Sequence, residues 1–258
     1  MTHSFDAVQP LAGWYVISLR PSGGHAALRR AAVAQGAGLI ALSPWRIQPL
    51  KDANTRSALE AALSADLIIV TSPSAVRATA ALQPFDARGE QRFVAVGEGT
   101  AKALRRFGIL DVETPARMDS EGVLALPALQ AIDTHDIGLL TAPGGRNRIE
   151  PALRERGAHV LRAEVYRRVP IALSKQGVRA LLELDGPAVL ALSSGEAFVR
   201  VLDALPVEAV DVLRAGLVVA ASDRLAGLAR EHGFERVVIA RSAVPHDLMA
   251  AAVKAASG

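Results

Sequence analysis

Short, continuously apolar runs alternate with longer runs in which apolar residues recur every three or four positions, and this rhythm holds along the whole chain. The short runs predict strands at 14–19, 38–42, 67–71, 93–96, 110–113, 137–141, 159–165, 188–192, 217–221 and 236–240. The longer runs predict helices near 24–35, 55–64, 73–82, 100–107, 120–131, 147–156, 174–184, 195–204, 223–231 and 246–256. The strand segments are rich in Val, Ile and Leu and are bounded by Gly, Pro, Ser or Asp, as parallel strands buried on both faces are. Strand and helix in alternation predict an α/β fold, with parallel sheets covered by helices on both faces.

The pattern also repeats. Residues 16–45 and 138–170 share one plan, strand, Gly-Gly turn, helix, strand, at an offset of 121 that matches Gly23-Gly24 to Gly144-Gly145 and Gly36 to Gly157. Trp45 then falls opposite Tyr166. Farther on, Thr71-Ser72-Pro73-Ser74-Ala75 corresponds to Ser193-Ser194-Gly195-Glu196-Ala197, Gly97-Glu98-Gly99-Thr100 to Ser222-Asp223-Arg224-Leu225, and Gly108 to Gly233 at an offset of 125. A nearly constant offset predicts two related α/β lobes.

Composition narrows the function. Of 258 residues 50% are hydrophobic and 21% charged, which is globular. There is no cysteine, which excludes disulfides, zinc–thiolate sites, iron–sulfur clusters and thiol catalysis, and fits a cytoplasmic protein. The segment MTHSFDAVQPLAG lacks the basic-then-apolar order of a signal peptide, and no apolar run approaches the roughly 20 residues of a membrane span. The pI near 9.7 invites a nucleic-acid reading, but a net charge of +3 is too small to carry it without a recognition motif or interleaved aromatics. Position matters more than total: Gly138–Pro170 carries seven Arg against three Glu.

Candidate chemistry gathers at the carboxyl ends of strands. Thr71-Ser72 and Ser193-Ser194 each follow an apolar strand and open a helix. Their hydroxyls either cap those helices or, with the free N–H groups, bind an anion at the sheet edge where ligands of open α/β folds sit. Gly97-Glu98-Gly99-Thr100 has the look of a dinucleotide turn, but Lys102 replaces the third glycine. The Pro143-Gly144-Gly145-Arg146 turn allows close backbone approach, with Arg146 near a helix start, where a guanidinium grips carboxylate or phosphate. Arg148, Arg154 and Arg156, with Glu150 and Glu155 close by in sequence, read as a solvated helix face. The six histidines have no metal-ligand spacing, and no Gly-x-Ser-x-Gly elbow occurs, so metal and serine-hydrolase chemistry find no support. Tyr166 ends a strand and precedes two Arg; its hydroxyl could donate a proton, though spacing alone favours a plain strand-edge aromatic.

Taken in order, the Thr71-Ser72-x-x-Ala75-Val76 unit, the Val96-Gly97-x-x-Thr100-Ala101 run, the Gly-Gly-Arg helix leading to Gly157-Ala158-x-Val160, the Val165-Tyr166-Arg167-Arg168-x-Pro170 strand and the later Ser193-Ser194 resemble the uroporphyrinogen-III synthase family across nearly the whole chain. The resemblance implies two similar doubly wound lobes joined by a two-stranded antiparallel linker: residues 1–42 with 171–258 in one lobe, 48–162 in the other, and linker strands at 43–47 and 163–170. It implies a cofactor-free enzyme that dehydrates and cyclises hydroxymethylbilane, an octacarboxylate linear tetrapyrrole, with inversion of the last ring. The implied proton donor is Tyr166; the implied substrate contacts are Arg20, Thr71, Ser72, Ser74, Gly97, Thr100, Gly144, Gly145, Arg146, Ser193, Ser194 and Ser222. It further implies a monomer that receives its substrate from the preceding pathway enzyme, with no nucleic acid, membrane, metal or cofactor as partner. Two departures, Leu19 and Leu225 where the family commonly has Thr, motivate the alternative of a non-catalytic tetrapyrrole- or polyanion-binding paralogue on the same fold.

Overall fold

The structure, a computed structural model, describes residues 9–86, 90–144 and 148–257. It divides into two compact units, residues 1–46 with 170–258 and residues 47–169. In the first unit, strands β1 (Tyr15–Ser18), β2 (Gly38–Ala41), β9 (Ala188–Leu192), β10 (Leu217–Ala220) and β11 (Val237–Ile239) form a parallel sheet in the order β11-β10-β9-β1-β2. In the second, β4 (Leu67–Val70), β5 (Arg92–Ala95), β6 (Asp136–Thr141) and β7 (His159–Glu164) form a parallel sheet in the order β5-β4-β6-β7. Strands β3 (Trp45–Pro49) and β8 (Tyr166–Pro170) pair with each other. The Leu50 N–H bonds to the Val165 carbonyl and the Ile171 N–H to the Pro44 carbonyl, so these two strands run in opposite directions.

The sequence repeat reappears as topology. Replacing each strand of the second unit by its partner in the repeat turns β5-β4-β6-β7 into β10-β9-β1-β2, the order found in the first unit. Each unit therefore combines strands from both repeats. The counterpart of β11 would be 110–113, which sequence reads as a strand. Only Glu113 makes a bridge there, to Val94 of β5, and Leu110 is 77% exposed.

Strand alternation builds the layers. In β4, Ile68 and Val70 join a core with α2 (Ala53–Leu63), α3 (Pro73–Ala80) and α4 (Glu98–Arg106). Leu67 and Ile69 point the other way, into a core with α5 (Ser120–Leu124) and α6 (Ile149–Glu155). In the first unit, Val189, Ala191, Leu217 and Val219 pack with Leu28 and Ala32 of α1 (Ala26–Val33) and with Leu248, Met249 and Ala252 of α11 (Pro245–Ala256). The alternate residues Leu190, Leu192 and Val218 are buried as well. Also fully or almost fully buried are Leu181 of α7 (Lys175–Leu182), Phe198 of α8 (Gly195–Ala204), Leu213 of α9 (Val207–Ala215) and Ala226 of α10 (Asp223–Glu231).

Several boundaries differ from the sequence reading. The single helix expected over 120–131 is α5 followed by a separate 3-10 turn at Pro127–Leu129, because Pro127 cannot donate within a continuing helix. Helix α9 lies where no element was expected. The paired strands begin at Trp45 and Tyr166 rather than 43 and 163; residues 163 and 164 belong to β7, held by Leu140↔Ala163 and Thr141↔Glu164 pairing.

Two local contacts in this frame have stability consequences that can be measured. A Cβ on Gly138, in β6, would stand 2.0 Å from the Ala62 carbonyl oxygen of α2. Gly138→Ala must push α2 off the sheet, and we expect a loss of about 1–3 kcal/mol in denaturant titration; unchanged stability would show that α2 is free to shift. In the other unit, buried Asp247 accepts from Ser242 Oγ at 2.6 Å and from Arg241 at 3.1 and 3.2 Å. These bonds, Ser242 foremost, hold its carboxyl below the usual carboxylate value. A depressed folded pKa stabilises the fold above the unfolded pKa, and the contribution is lost as pH falls through the folded value. Asp247→Asn should therefore lower the melting temperature at neutral pH, with the gap to the parent closing in acid; a gap independent of pH would contradict this.

Candidate functional site

Strand β4 ends at Val70, and the chain turns through Thr71 and Ser72 into α3, with Pro73 at its first position. Pro is favoured there because its missing N–H would be unpaired in any case. Ser72 is the N-cap: its Oγ accepts from the Ala75 N–H at 3.1 Å. The same Oγ lies 3.0 Å from the hydroxyl of Tyr166, the first residue of β8. Tyr166 is 4% exposed, its ring part of the α2–α3–α4 core. Thr71 donates to the Leu140 carbonyl at 3.2 Å and meets the Thr141 hydroxyl at 3.1 Å, which ties the end of β4 to the end of β6. A core aromatic thus presents its one polar atom to a hydroxyl cluster at the sheet's carboxyl edge.

That cluster lines a cavity of about 170 Å³ with Thr71, Ser72, Thr141, Gly144 and Tyr166 on its wall, together with Arg148, Arg162, Arg168 and Glu150. Three guanidinium groups and one carboxylate share the lining, so its charge favours an anion. Glu150 is itself neutralised: Arg154 and Arg162 donate to it at 3.0 and 2.9 Å. Burial pushes the Glu150 carboxyl up, but the hydrogen bonds from Arg162 and Arg154 outweigh it and hold the group below its ordinary value. Arg162 also bonds Glu164 at 2.6 Å. Burial alone would lower the Arg162 pKa, but its bonds to Glu164 and Glu150 raise it. Arg162 is therefore a fixed charge that braces Glu150 and Glu164.

The residues expected from sequence distribute as follows. Thr71, Ser72, Gly144 and Tyr166 come together on this one cavity. Gly97 caps α4 at the end of β5, next to cavity-lining Val96 but not on the wall, and Thr100 is buried one turn into α4. Ser74 accepts from Arg77 at 3.2 Å on α3. Gly145 and Arg146 lie outside the described residues. In the first unit, Ser194 caps α8 and Ser222 caps α10, each accepting from a backbone N–H three residues on. With Arg20 and Ser193 they stand just beyond β1, β9 and β10, neighbours in one sheet.

Sequence missed Arg162, Glu150 and Thr141 as cavity residues. Charged residues on a buried strand and at a helix start, in Arg162 and Glu150, were the available signal. The helix read as a solvated face is mostly engaged: Arg148 lines the cavity, Arg154 braces Glu150, and Arg156 donates to the Leu124 and Leu129 carbonyls at 2.8 and 2.7 Å. Among the described residues no group of His, Asp or Glu could hold a metal ion, and no helix is long and apolar enough to cross a membrane.

Fold and site define a duplicated α/β protein with a tyrosine set among hydroxyls and arginines at a parallel-sheet edge. Residues 26–250 match the family model described as uroporphyrinogen-III synthase HemD. The chain is 33% identical over 184 residues to the uroporphyrinogen-III synthase of Salmonella typhimurium, covering 69% of this chain and 74% of that one. It is 31% identical over 154 residues to the one from Escherichia coli, covering 58% and 62%. Among solved structures, a mutant uroporphyrinogen III synthase from the extremely thermophilic bacterium Thermus thermophilus aligns with a TM-score of 0.60 at 19% identity, over 94% of this chain and 98% of that one. The Helicobacter pylori uroporphyrinogen-III synthetase aligns at 0.58 and 15% identity, over 94% and 99%. These two show the shared fold. The chain belongs to the uroporphyrinogen-III synthase family.

Ser72 serves both helix and tyrosine, and the two roles separate experimentally. Ser72→Ala should cost about 1 kcal/mol in denaturant titration through loss of the cap, and Ser72→Asn, another capping residue, should recover most of it. Equal losses in both would place the stability in the contact with Tyr166 instead.

Proposed function

We propose that the protein is a uroporphyrinogen-III synthase, a cyclising hydro-lyase acting on hydroxymethylbilane, with Tyr166 as proton donor to the departing hydroxyl. The observation that carries this reading is the Tyr166 hydroxyl in a polar, arginine-lined cavity, 3.0 Å from the fixed oxygen of Ser72. An electron-rich pyrrole expels hydroxide readily, so the chemical step asks little of the protein beyond one proton. The C–O bond breaks, the proton passes from Tyr166 to the leaving oxygen, and water departs. When the final carbon–carbon bond closes the macrocycle, the attacked ring carbon releases a proton, which restores the phenol. The balance is a redox-neutral dehydration and calls for no cofactor.

Selectivity is the harder task. The last ring must invert before simple closure occurs, which is positioning catalysis. A substrate with eight carboxylates supplies many handles for it. We assign Arg148 and Arg168, the Thr71 and Ser72 hydroxyls and Gly144 to one end of that substrate. Gly97 and Thr100, and in the other unit Ser193, Ser194 and Ser222, are proposed as further carboxylate contacts through the polar groups at their helix starts.

The direct test is incubation of the purified chain with hydroxymethylbilane and separation of the isomers. We expect the type III isomer; type I alone, at the spontaneous rate, would overturn the activity. Tyr166→Phe should slow turnover roughly 100-fold, the lower end of what a positioned acid contributes, and full activity would remove the tyrosine from the mechanism.

A further inference from the structure

Arg148 lines the Tyr166 cavity, yet its partner stands off the wall. Arg148 Nη1 donates to Glu121 Oε1 at 2.5 Å, and Glu121, in the first turn of α5, is not part of the lining, whereas its neighbour Ser120 is. The pair belongs to a chain of alternating charge. Arg117 Nη2 lies 3.7 Å from the other Glu121 oxygen, and Arg117 Nε donates to Asp119. Asp119 in turn caps α5, accepting from the Gly122 N–H at 2.9 Å. The turn that carries these groups is closed on itself: a Cβ on Gly122 would fall 1.8 Å from the Arg117 carbonyl oxygen. It also covers the start of α4, with Met118 Cβ and Sδ 3.4 and 3.5 Å from where a Gly97 Cβ would stand.

Stability does not call for the Glu121–Arg148 bond. The two side chains are 32% and 63% exposed, and ion pairs in contact with water contribute little. Helix α5 is already anchored by fully buried Val123 and by its cap. What the bond does is local: it sets a protein carboxylate on a cation that the cavity offers to an anion.

We propose that Glu121 is a built-in competitor, which occupies Arg148 while the cavity is empty and is displaced when a ligand carboxylate takes the guanidinium. Only molecules with Arg148 released are competent to bind, and the apparent affinity falls by that fraction. A neutral ligand has nothing to exchange, so the contact selects for anions. Release of Glu121 also cuts the tie between the 117–122 turn and Arg148, and leaves Met118 free to uncover Gly97. The ligand's identity rests on the tetrapyrrole reading; the exchange itself needs only a carboxylate.

The test uses the full chain and uroporphyrin III, the oxidised and unreactive form of the expected product, as an octacarboxylate probe. Glu121→Gln should tighten binding about 3- to 5-fold, the range an exposed ion pair can withhold. Glu155→Gln, which removes the same charge from an exposed position off the cavity wall, should leave the affinity unchanged. Arg148→Met should weaken binding about 10-fold, and in that background Glu121→Gln should add nothing. Unchanged or weaker binding by Glu121→Gln, an equal gain in Glu155→Gln, a gain that survives in Arg148→Met, or no porphyrin binding by the parent and Glu121→Gln would each overturn the exchange. Binding is read without turnover, so the two readings fail separately. A chain that shows the gain but yields the type I isomer alone would overturn the enzymatic reading and leave the exchange standing. A chain that yields type III, with Glu121→Gln binding as the parent does, would do the reverse.

Discussion

Every strand in the two larger sheets runs parallel to its neighbours, so within each sheet every strand hands the chain to its helix at the same edge. Most of the site chemistry follows from that constraint. In one unit it brings the N-termini of α3 and α4 to the carboxyl ends of β4 and β5, in the other those of α8 and α10 to the ends of β9 and β10, and gives each a capping position. Ser72, Ser194 and Ser222 fill three of those positions and Gly97 the fourth. The free N–H groups of such turns are partial positive charges, so the sheet edge favours anions before any arginine is added. Tyr166 then needs only to start the next strand beside β4's end for its hydroxyl to meet Ser72.

Charge acts locally in this molecule. The Arg-rich stretch from 138 to 170 does not behave as a basic patch, because its arginines are largely committed. Arg154 and Arg162 hold Glu150, Arg162 holds Glu164, Arg148 pairs with Glu121, and Arg156 is used on two carbonyls. Exposed pairs of this kind add little to stability, but those around the cavity fix where the cations stand. Arg20 is the contrast, a partly buried cation for which the described residues supply a single carbonyl.

The parallel α/β class was readable because strands buried on both faces need unbroken apolar runs, as in Leu67–Val70 and Ala188–Leu192. The repeat predicted two related halves, but strand order could not be read from it. Nothing local says that β1 pairs with β9 rather than with β4. Helix α9 escaped because only two of its nine residues, Ala209 and Leu213, are buried, which leaves a weak helical period. The 110–113 run misled for the converse reason: Leu110 is apolar but faces solvent. Within the site, the capping serines were legible because a cap is a local motif. The Arg162–Glu150 brace was not, since its partners meet only through tertiary folding.

The exchange of strands between repeats also governs how the chain is made. β1 emerges from the ribosome early, but the strand that covers its second edge, β9, begins at Ala188. Synthesis of the intervening segment takes on the order of 10 s or more. During that interval the second unit, a continuous stretch of chain, has all it needs to close. The fragment β1–α1–β2 meanwhile carries a bare strand edge and an apolar face, the combination that invites pairing with other nascent chains. Its hazard is therefore one of timing: this protein is most vulnerable while half-made, and slower translation through the second unit would lengthen that exposure.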